Sequence, residues 1–236
     1  YAFAYCAKKK GSGEELVSSG ITDLVLPDSV GSIGSHAFYF DLNLASVTLP
    51  SGLSAIPDYC FAECGYDDKY EGESHYHGLS LVSDISRVET IGDYAFYRCL
   101  NFSTVKTASG TRNITFGRSL TRLGRYSFSE SGIVEANTLS MSSIEKIESN
   151  TFRNCPNLTV VYCPDSLVSI EDDAFYNCPK LDEINFPVYA TLSAKMIEYD
   201  DQASLTLTPT LGMYRNKIYK VPVGLTISLP AEAYSR

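Results

Sequence analysis

Leu44-Ala-Ser-Val-Thr-Leu-Pro-Ser-Gly-Leu-Ser-Ala-Ile-Pro-Asp-Tyr-Cys-Phe-Ala-Glu-Cys64 is written a second time, anchor for anchor, as Leu158-Thr-Val-Val-Tyr-Cys-Pro-Asp-Ser-Leu-Val-Ser-Ile-Glu-Asp-Asp-Ala-Phe-Tyr-Asn-Cys178. Each copy runs from a Leu through a short alternating stretch to a Pro, then to Leu and Ile, then to a Phe with a Cys three residues later. Phe38, Phe61, Phe96, Phe128, Phe152 and Phe175 all have an Ile or Leu five residues before them. A unit of about 23 residues cannot bury an apolar face alone and must stack on a neighbour. The chain is therefore a repeat solenoid, and its function resides in its surfaces.

Working outward from the Phe, Val30, Leu53, Val88, Leu120, Ile144 and Leu167 stand eight residues before it and point inward. Leu44, Phe102, Val134, Leu158 and Leu181 stand six residues after it and are read as inward too. The alternation in Val47-Thr48-Leu49 predicts a short strand with one buried face. Pro27, Pro50, Pro164 and Pro187 follow the strands, where a missing donor ends the ladder. Ser35, Asp58, Asp93, Ser149 and Asp172 lie three residues before the Phe, with Arg125 as the exception, and read as helix N-caps. They predict a short helical or 3₁₀ turn that carries the Phe inward on the convex side. Parallel strands would line the concave side about 4.8 Å apart. The phenylalanines would then form one spine.

The chain has seven cysteines, and Cys6, Cys64, Cys99, Cys155 and Cys178 share one repeat position. Position explains them as small buried hydrophobes with free thiols. A disulfide between neighbouring units, such as Cys155 to Cys178, is the alternative. No C-x-x-C pair is present, which argues against a zinc site.

With Leu44-x-x-Val47-x-Leu49-Pro50, Leu53-x-x-Ile56 and the Ala37-Phe38 turn, the chain resembles the BspA-type leucine-rich repeats of bacterial surface proteins. The resemblance covers residues 1–189. It implies a secreted or cell-surface solenoid used in adhesion or in binding host or matrix proteins, and it assigns no binding residue. The first residues, Tyr1 to Cys6, match the middle of a unit, so an upstream continuation is expected.

Three units are longer than the rest. Twelve extra residues fall between Cys6 and Ile21, and twelve between Cys64 and Leu79. Nine more fall between Phe102 and Ile114, close to the equivalent site. Insertions at one place in stacked units emerge along one edge and mark a candidate binding surface. The second contributes Tyr66, Tyr70, His75, Tyr76 and His77, a tyrosine-rich set suited to an interface, against the blander reading of a solvated loop. His75 and His77 with Asp67, Asp68, Glu71 and Glu73 lack the common zinc spacing, and no metal or cofactor is expected.

Outward strand positions are read as Asp23, Val25, Ser46, Thr48, Leu81, Ser83, Asn113, Thr115, Val160, Tyr162, Glu183 and Asn185. Thr48, Thr115, Tyr162, Glu183 and Asn185 are the partner-binding candidates among them, although such residues also suit any exposed strand. Tyr39, Tyr97 and Tyr176 are expected to shield the convex side. The sequons at Asn101, Asn113 and Asn157 suit glycosylation in a secretory pathway, but Asn101 and Asn157 share a repeat position with Asn43, which favours a turn role. Residues 190–236 carry no ladder Phe and read as a C-terminal cap, with a degenerate repeat or a following module as alternatives. A short helix is expected over Ala190 to Asp200, with strands at Ser204 to Thr210 and Leu225 to Pro230.

A formal charge of -9 argues against a nucleic-acid surface, and no run of 18 apolar residues suggests a membrane span. Only His36, His75 and His77 supply imidazole, and no Ser-His-Asp arrangement or phosphate loop stands out, so an enzyme is not expected. The leading expectation is a monomeric, non-enzymatic adhesion module with a protein ligand. A glycan-binding module and a passive display stalk are the alternatives.

Overall fold

Each unit crosses two parallel sheets and returns through a turn that carries its Phe. The computed structural model describes residues 21–64, 78–107, 110–114, 116–136, 142–187, 190–193 and 195–197, with the backbone of strands at Thr206–Thr210 and Thr226–Ile227. The main sheet comes in two stretches. The first orders β1 (Asp23–Val25), β2 (Ser46–Thr48), β4 (Leu81–Ser83), β6 (Thr104–Thr107) and β7 (Gly110–Asn113). The second orders β9 (Glu135–Ala136), β11 (Val160–Tyr162), β13 (Glu183–Pro187), β15 (Thr206–Thr210) and β16 (Thr226–Ile227). A second, narrower sheet absent from the sequence reading holds β3 (Ala55–Ile56), β5 (Thr90–Ile91) and β8 (Arg122–Leu123), then β10 (Lys146–Ile147), β12 (Ser169–Ile170) and β14 (Thr191–Leu192). Its strands contain the Ile or Leu five residues before each Phe from Phe61 onward. All pairings are parallel except β6 with β7.

The strands face as expected. Val47, Val82, Val161 and Ile184 are buried, while Thr48 and Tyr162 on the same strands are exposed. The inward set of the Phe128 unit differs from the reading above: Ile133 is buried and Val134 only half-buried. The turn before it is one residue shorter, closed by Gly132, whose N–H donates to the Cys99 carbonyl at 3.1 Å. A Cβ on Gly132 would overlap the Leu100 carbonyl, so only glycine permits this approach.

Among the described residues, the turns are not helical. In the Phe61 turn, Cys60, Ala62 and Cys64 donate to carbonyls three residues back, Pro57, Tyr59 and Phe61, at 3.2 to 3.3 Å. Tyr59, Phe61 and Glu63 instead donate to the next rung, to Asp93, Ala95 and Tyr97, at 2.7 to 2.9 Å. Alternate donors thus serve the turn and the stack. The geometry requires positive φ two residues before and after each Phe, as at Tyr59 (φ 55°) and Glu63 (φ 61°). A helix cannot contain such residues, whereas a type II turn needs one at its third position. The expected N-cap residues have another task. Asp58 accepts from the Asp93 amide at 2.8 Å, and Asp93 accepts from the Arg125 amide at 3.0 Å, so these carboxylates tie rung to rung. Gly124 lets the Asp93 carboxylate lie against the backbone, because a Cβ there would overlap it.

The phenylalanines form the expected spine. Ring centroids from Phe38 through Phe61, Phe96, Phe128, Phe152 to Phe175 are spaced 5.2 to 5.7 Å, with interplanar angles of 1 to 23°. Phe102 adds a second ring 4.5 Å from Phe96. Beyond Phe175 the same hydrogen bond continues: its N–H donates to Met196 at 2.7 Å, the position just before a ladder residue. Ile197 therefore stands where the next Phe would, five residues after Leu192, and both pack against the core. Thr191–Leu192 pairs with Ser169–Ile170, and Thr206–Thr210 pairs with Glu183–Pro187. These residues extend the sheets, and the described part of 190–197 holds no helix, contrary to expectation.

Cysteines form a parallel ladder. Cys64, Cys99, Cys155 and Cys178 each donate a thiol to the carbonyl of the preceding rung's Phe at 3.0 to 3.1 Å. All six described cysteines are free thiols, including the Cys155 and Cys178 considered for pairing. Burial pushes the thiols of Cys60, Cys64, Cys99, Cys155 and Cys163 well up. Asp41 stands in the same slot, fully buried, with neither carboxylate oxygen hydrogen-bonded to a partner among the described residues. Its pKa is raised to about 6 by desolvation, against a smaller opposing effect of the Asn43 amide.

Three outcomes follow from this packing. Phe96→Ala removes a fully buried ring from the middle of the spine and should cost about 3–5 kcal/mol, read as a large fall in melting temperature. Phe40→Ala, on a half-buried residue outside the column, should change it far less. The folded state holds the Asp41 proton more tightly than the unfolded chain, so this contribution is full below about pH 4 and is lost as pH rises through about 6. Asp41→Asn should consequently gain on the order of 2 kcal/mol relative to wild type at pH 8 compared with pH 4, measured by urea unfolding at both pH values. Thiol titration of the native protein should leave the buried cysteines unmodified until denaturant is added.

Candidate functional site

Strand alternation leaves one row of side chains per rung on the outer face of the main sheet. In the second stretch, Val160 pairs with Glu183 and Tyr162 with Asn185, which places Tyr162, Glu183 and Asn185 side by side. Asn185 donates from Nδ2 to Glu183 Oε1 at 2.8 Å and is largely buried, so its amide is held fixed. Tyr162 is 37% exposed, among the most open large apolar side chains described. Thr48 lies in the first stretch, beside Val25, which is 71% exposed. The structure thus brings together three of the predicted residues and sets Thr48 apart from them.

The separation has a cause. Nine extra residues were expected near the place of the other insertions, but Thr104–Thr107 pairs with Leu81–Ser83 as the regular strand of its unit. The excess follows the strand as a hairpin, whose return strand Gly110–Asn113 runs antiparallel along Thr104–Thr107. It leaves from the opposite edge of the main sheet, and it lies between the two stretches. Asn113 is therefore a return-strand residue, and Thr104 occupies the outward position assigned to it. Thr115 lies outside the described residues. So do Tyr66, Tyr70, His75, Tyr76 and His77, with the rest of the insertion.

A second surface was not foreseen. The residue two before each Phe points away from the core, and in consecutive rungs it is His36, Tyr59, Tyr94 and Tyr126. Their ring centroids lie 4.6 Å apart at each step, with interplanar angles of 7 to 8°. Tyr39 and Tyr97 stand edge-on beside this column, at 5.6 Å from His36 and 5.4 Å from Tyr94. Tyr39 donates to Glu63 at 3.2 Å and Tyr97 to Glu130 at 3.4 Å. Tyr97 is pushed up to about 12 by burial and by the Glu130 charge. Arg98 lies over Tyr97 and pairs with Glu130 at 3.0 Å, and Arg153 lies over Tyr176 at 3.9 Å. The expected shielding by Tyr39, Tyr97 and Tyr176 is thus part of a larger aromatic face. The signal was available in the repeat alignment, where Tyr recurs in the fixed slot before the Phe.

No group of three or more His, Cys, Asp or Glu is arranged to hold a metal ion among the described residues. None of their helices is long and apolar enough to cross a membrane.

The two parallel sheets, the phenylalanine spine and the one-rung spacing define a leucine-rich repeat solenoid. The BspA type Leucine rich repeat region matches residues 16–74 and 79–199 in six copies, and the chain belongs to that family. No curated protein matches it. Among solved structures, the pneumococcal vaccine antigen PcpA is similar over 90% of this chain, at 14% identity and a TM-score of 0.51. The match takes in 52% of that protein, so this chain spans about half of its length. A leucine-rich repeat protein from Bacteroides ovatus is similar over 91% of this chain and 76% of its own, at 14% identity and a TM-score of 0.28. A leucine rich cell surface protein from Faecalibacterium prausnitzii is similar over 79% of this chain and 81% of its own, at 16% identity and a TM-score of 0.26.

Proposed function

We propose that this chain is a non-catalytic, secreted or surface-displayed recognition module that binds a protein through the outer face of its main sheet, around Tyr162, Glu183 and Asn185. The observation that carries this reading is the rigid row itself. Tyr162 offers an amphipathic ring on a fixed strand, next to an amide already oriented by Glu183. Such a surface loses little side-chain entropy on binding. The insertion after Cys64, which leads into β4 of the first stretch, would supply a separate contact through Tyr66, Tyr70, His75, Tyr76 and His77. Membership of the BspA-type family supports display at the cell surface.

Glycan recognition is the second reading. An exposed ring beside a fixed amide and carboxylate is also the arrangement that a sugar face and its hydroxyls require.

Deletion of residues 65–78 and, separately, Tyr162→Ala should each abolish or weaken by about ten-fold the retention of the protein on a panel of immobilised matrix proteins. The melting temperature should move little in either case. Retention unchanged in both variants would leave only a display stalk. Loss of a glycan-array signal in Tyr162→Ala, with protein retention intact, would move the assignment to carbohydrate.

A further inference from the structure

The aromatic column on the turn face is built differently from a sugar-binding platform. Its rings are stacked on one another, so between His36 and Tyr126 the faces are used up and only edges and phenol oxygens point outward. Tyr39 and Tyr97 spend their hydroxyls on Glu63 and Glu130. The hydroxyls of Tyr59, Tyr94 and Tyr126 have no hydrogen-bond partner among the described residues. A file of unspent donors is left, on rings whose centroids are 4.6 Å apart.

Charge beside this file is uneven. Towards its carboxy-terminal end, Arg98 is paired with Glu130 and Arg122 with Asp93. Around Tyr59, Asp58 is exposed and Glu63 half-buried, and neither forms an ion pair among the described residues. Asp58 commits one oxygen to the Asp93 amide, and Glu63 accepts only from Tyr39. The phenols of Tyr59 and Tyr94 are raised, first by burial and also by neighbouring charge that includes Asp93 in both cases. Arg125 opposes this at Tyr94, so the uncompensated negative charge lies at the Tyr59 end, at Asp58 and Glu63, and that end suits a cationic group. The chain enters its acidic, tyrosine-rich insertion directly after Cys64, one residue beyond Glu63.

Spacing narrows the occupant further. Two steps of the column advance about 9 Å, which is one turn of a polyproline II helix, three residues at about 3.1 Å each. Every third residue of such a helix returns to the same side, so its carbonyls and side chains meet every second rung in register. An extended strand rises about 3.3 Å per residue and repeats at about 6.6 Å, which does not match the file.

We propose that the turn face along Tyr59, Tyr94 and Tyr126 is a docking surface for a basic, proline-rich segment of a partner protein, its Lys or Arg side chains set against Asp58 and Glu63 and its carbonyls accepting from the phenols. The surface is separate from the main-sheet face and does not depend on the reading given above for that face. A polyproline helix is already ordered before it docks, so little entropy is lost on binding.

The test uses the full chain and a fluorescent peptide of four Lys-Pro-Pro triplets, followed by anisotropy at low and at physiological salt. Binding is expected, weakening several-fold as salt rises. Asp58→Asn with Glu63→Gln should weaken it about five-fold or more, and Tyr59→Phe with Tyr94→Phe, which keeps the stack and removes the donors, about three- to ten-fold. Tyr162→Ala should leave it unchanged. Equal binding of a Glu-Pro-Pro peptide, unchanged affinity in both double variants, or no binding at millimolar peptide would overturn the proposal. Equal binding of a Lys-Ser-Ser peptide would overturn the polyproline assignment and leave charge alone as the attraction.

Discussion

Everything in this molecule is paced by the hydrogen bonds that pass from one turn to the next. In each turn, alternate amides are given to the neighbouring rung, as from Phe61 to Ala95 and from Phe96 to Ser127, at 2.8 to 2.9 Å. These bonds hold equivalent rings of neighbouring rungs at stacking distance, 4.6 to 5.7 Å between centroids, so any residue type repeated at one position becomes a column. Phenylalanine inside gives the spine, cysteine gives the thiol ladder, and tyrosine outside gives the aromatic file. The cost is backbone strain. Residues such as Tyr94 and Arg98 are held at φ 57 and 58°, and a non-glycine residue in that region costs on the order of 1–3 kcal/mol. The pairing of every rung with two others, together with the buried spine, offsets it.

The inward half of the pattern was legible in the sequence because burial imposes a strict choice of residue. Phe38 to Phe175, Ile56, Ile91 and Ile170 are all buried where the spacing placed them. The turns were misread because Asp58 and Asp93 carry the same signature as helix caps, and the difference lies in where the carboxylate goes. A cap bonds to its own chain two or three residues on; here it bonds to the next rung. The second sheet escaped notice because its strands are two residues long and show no alternation. Ile197 is hidden because that ladder position holds no phenylalanine, although it stands five residues after Leu192. Val134 was misplaced by one residue, since nothing in a spacing rule announces that Gly132 has shortened the turn.

The candidate surfaces were legible unevenly for the same reason. Tyr162, Glu183 and Asn185 were found because strand alternation fixes which side chains face outward. Asn113 and Thr115 were chosen from spacing alone, and the hairpin shows that an excess of residues can leave a unit at either end of its strand. The tyrosine file is present in the repeat alignment as a Tyr two residues before Phe61, Phe96 and Phe128, and the stacked structure shows it as a column.

The hairpin formed by Thr104–Thr107 and Gly110–Asn113 has a wider bearing on how the array behaves. Neighbouring repeats normally share their fate through both the sheet and the interior, and here the antiparallel strand takes the place where the next parallel partner would pair. At that seam, the two blocks are joined by side-chain packing from Phe128 to Phe152 and by turn amides such as Phe128 to Thr151, without main-sheet pairing. Cooperativity in a linear array is set by its weakest junction. The seam therefore divides the solenoid into two blocks that can melt, or be pulled apart, one before the other.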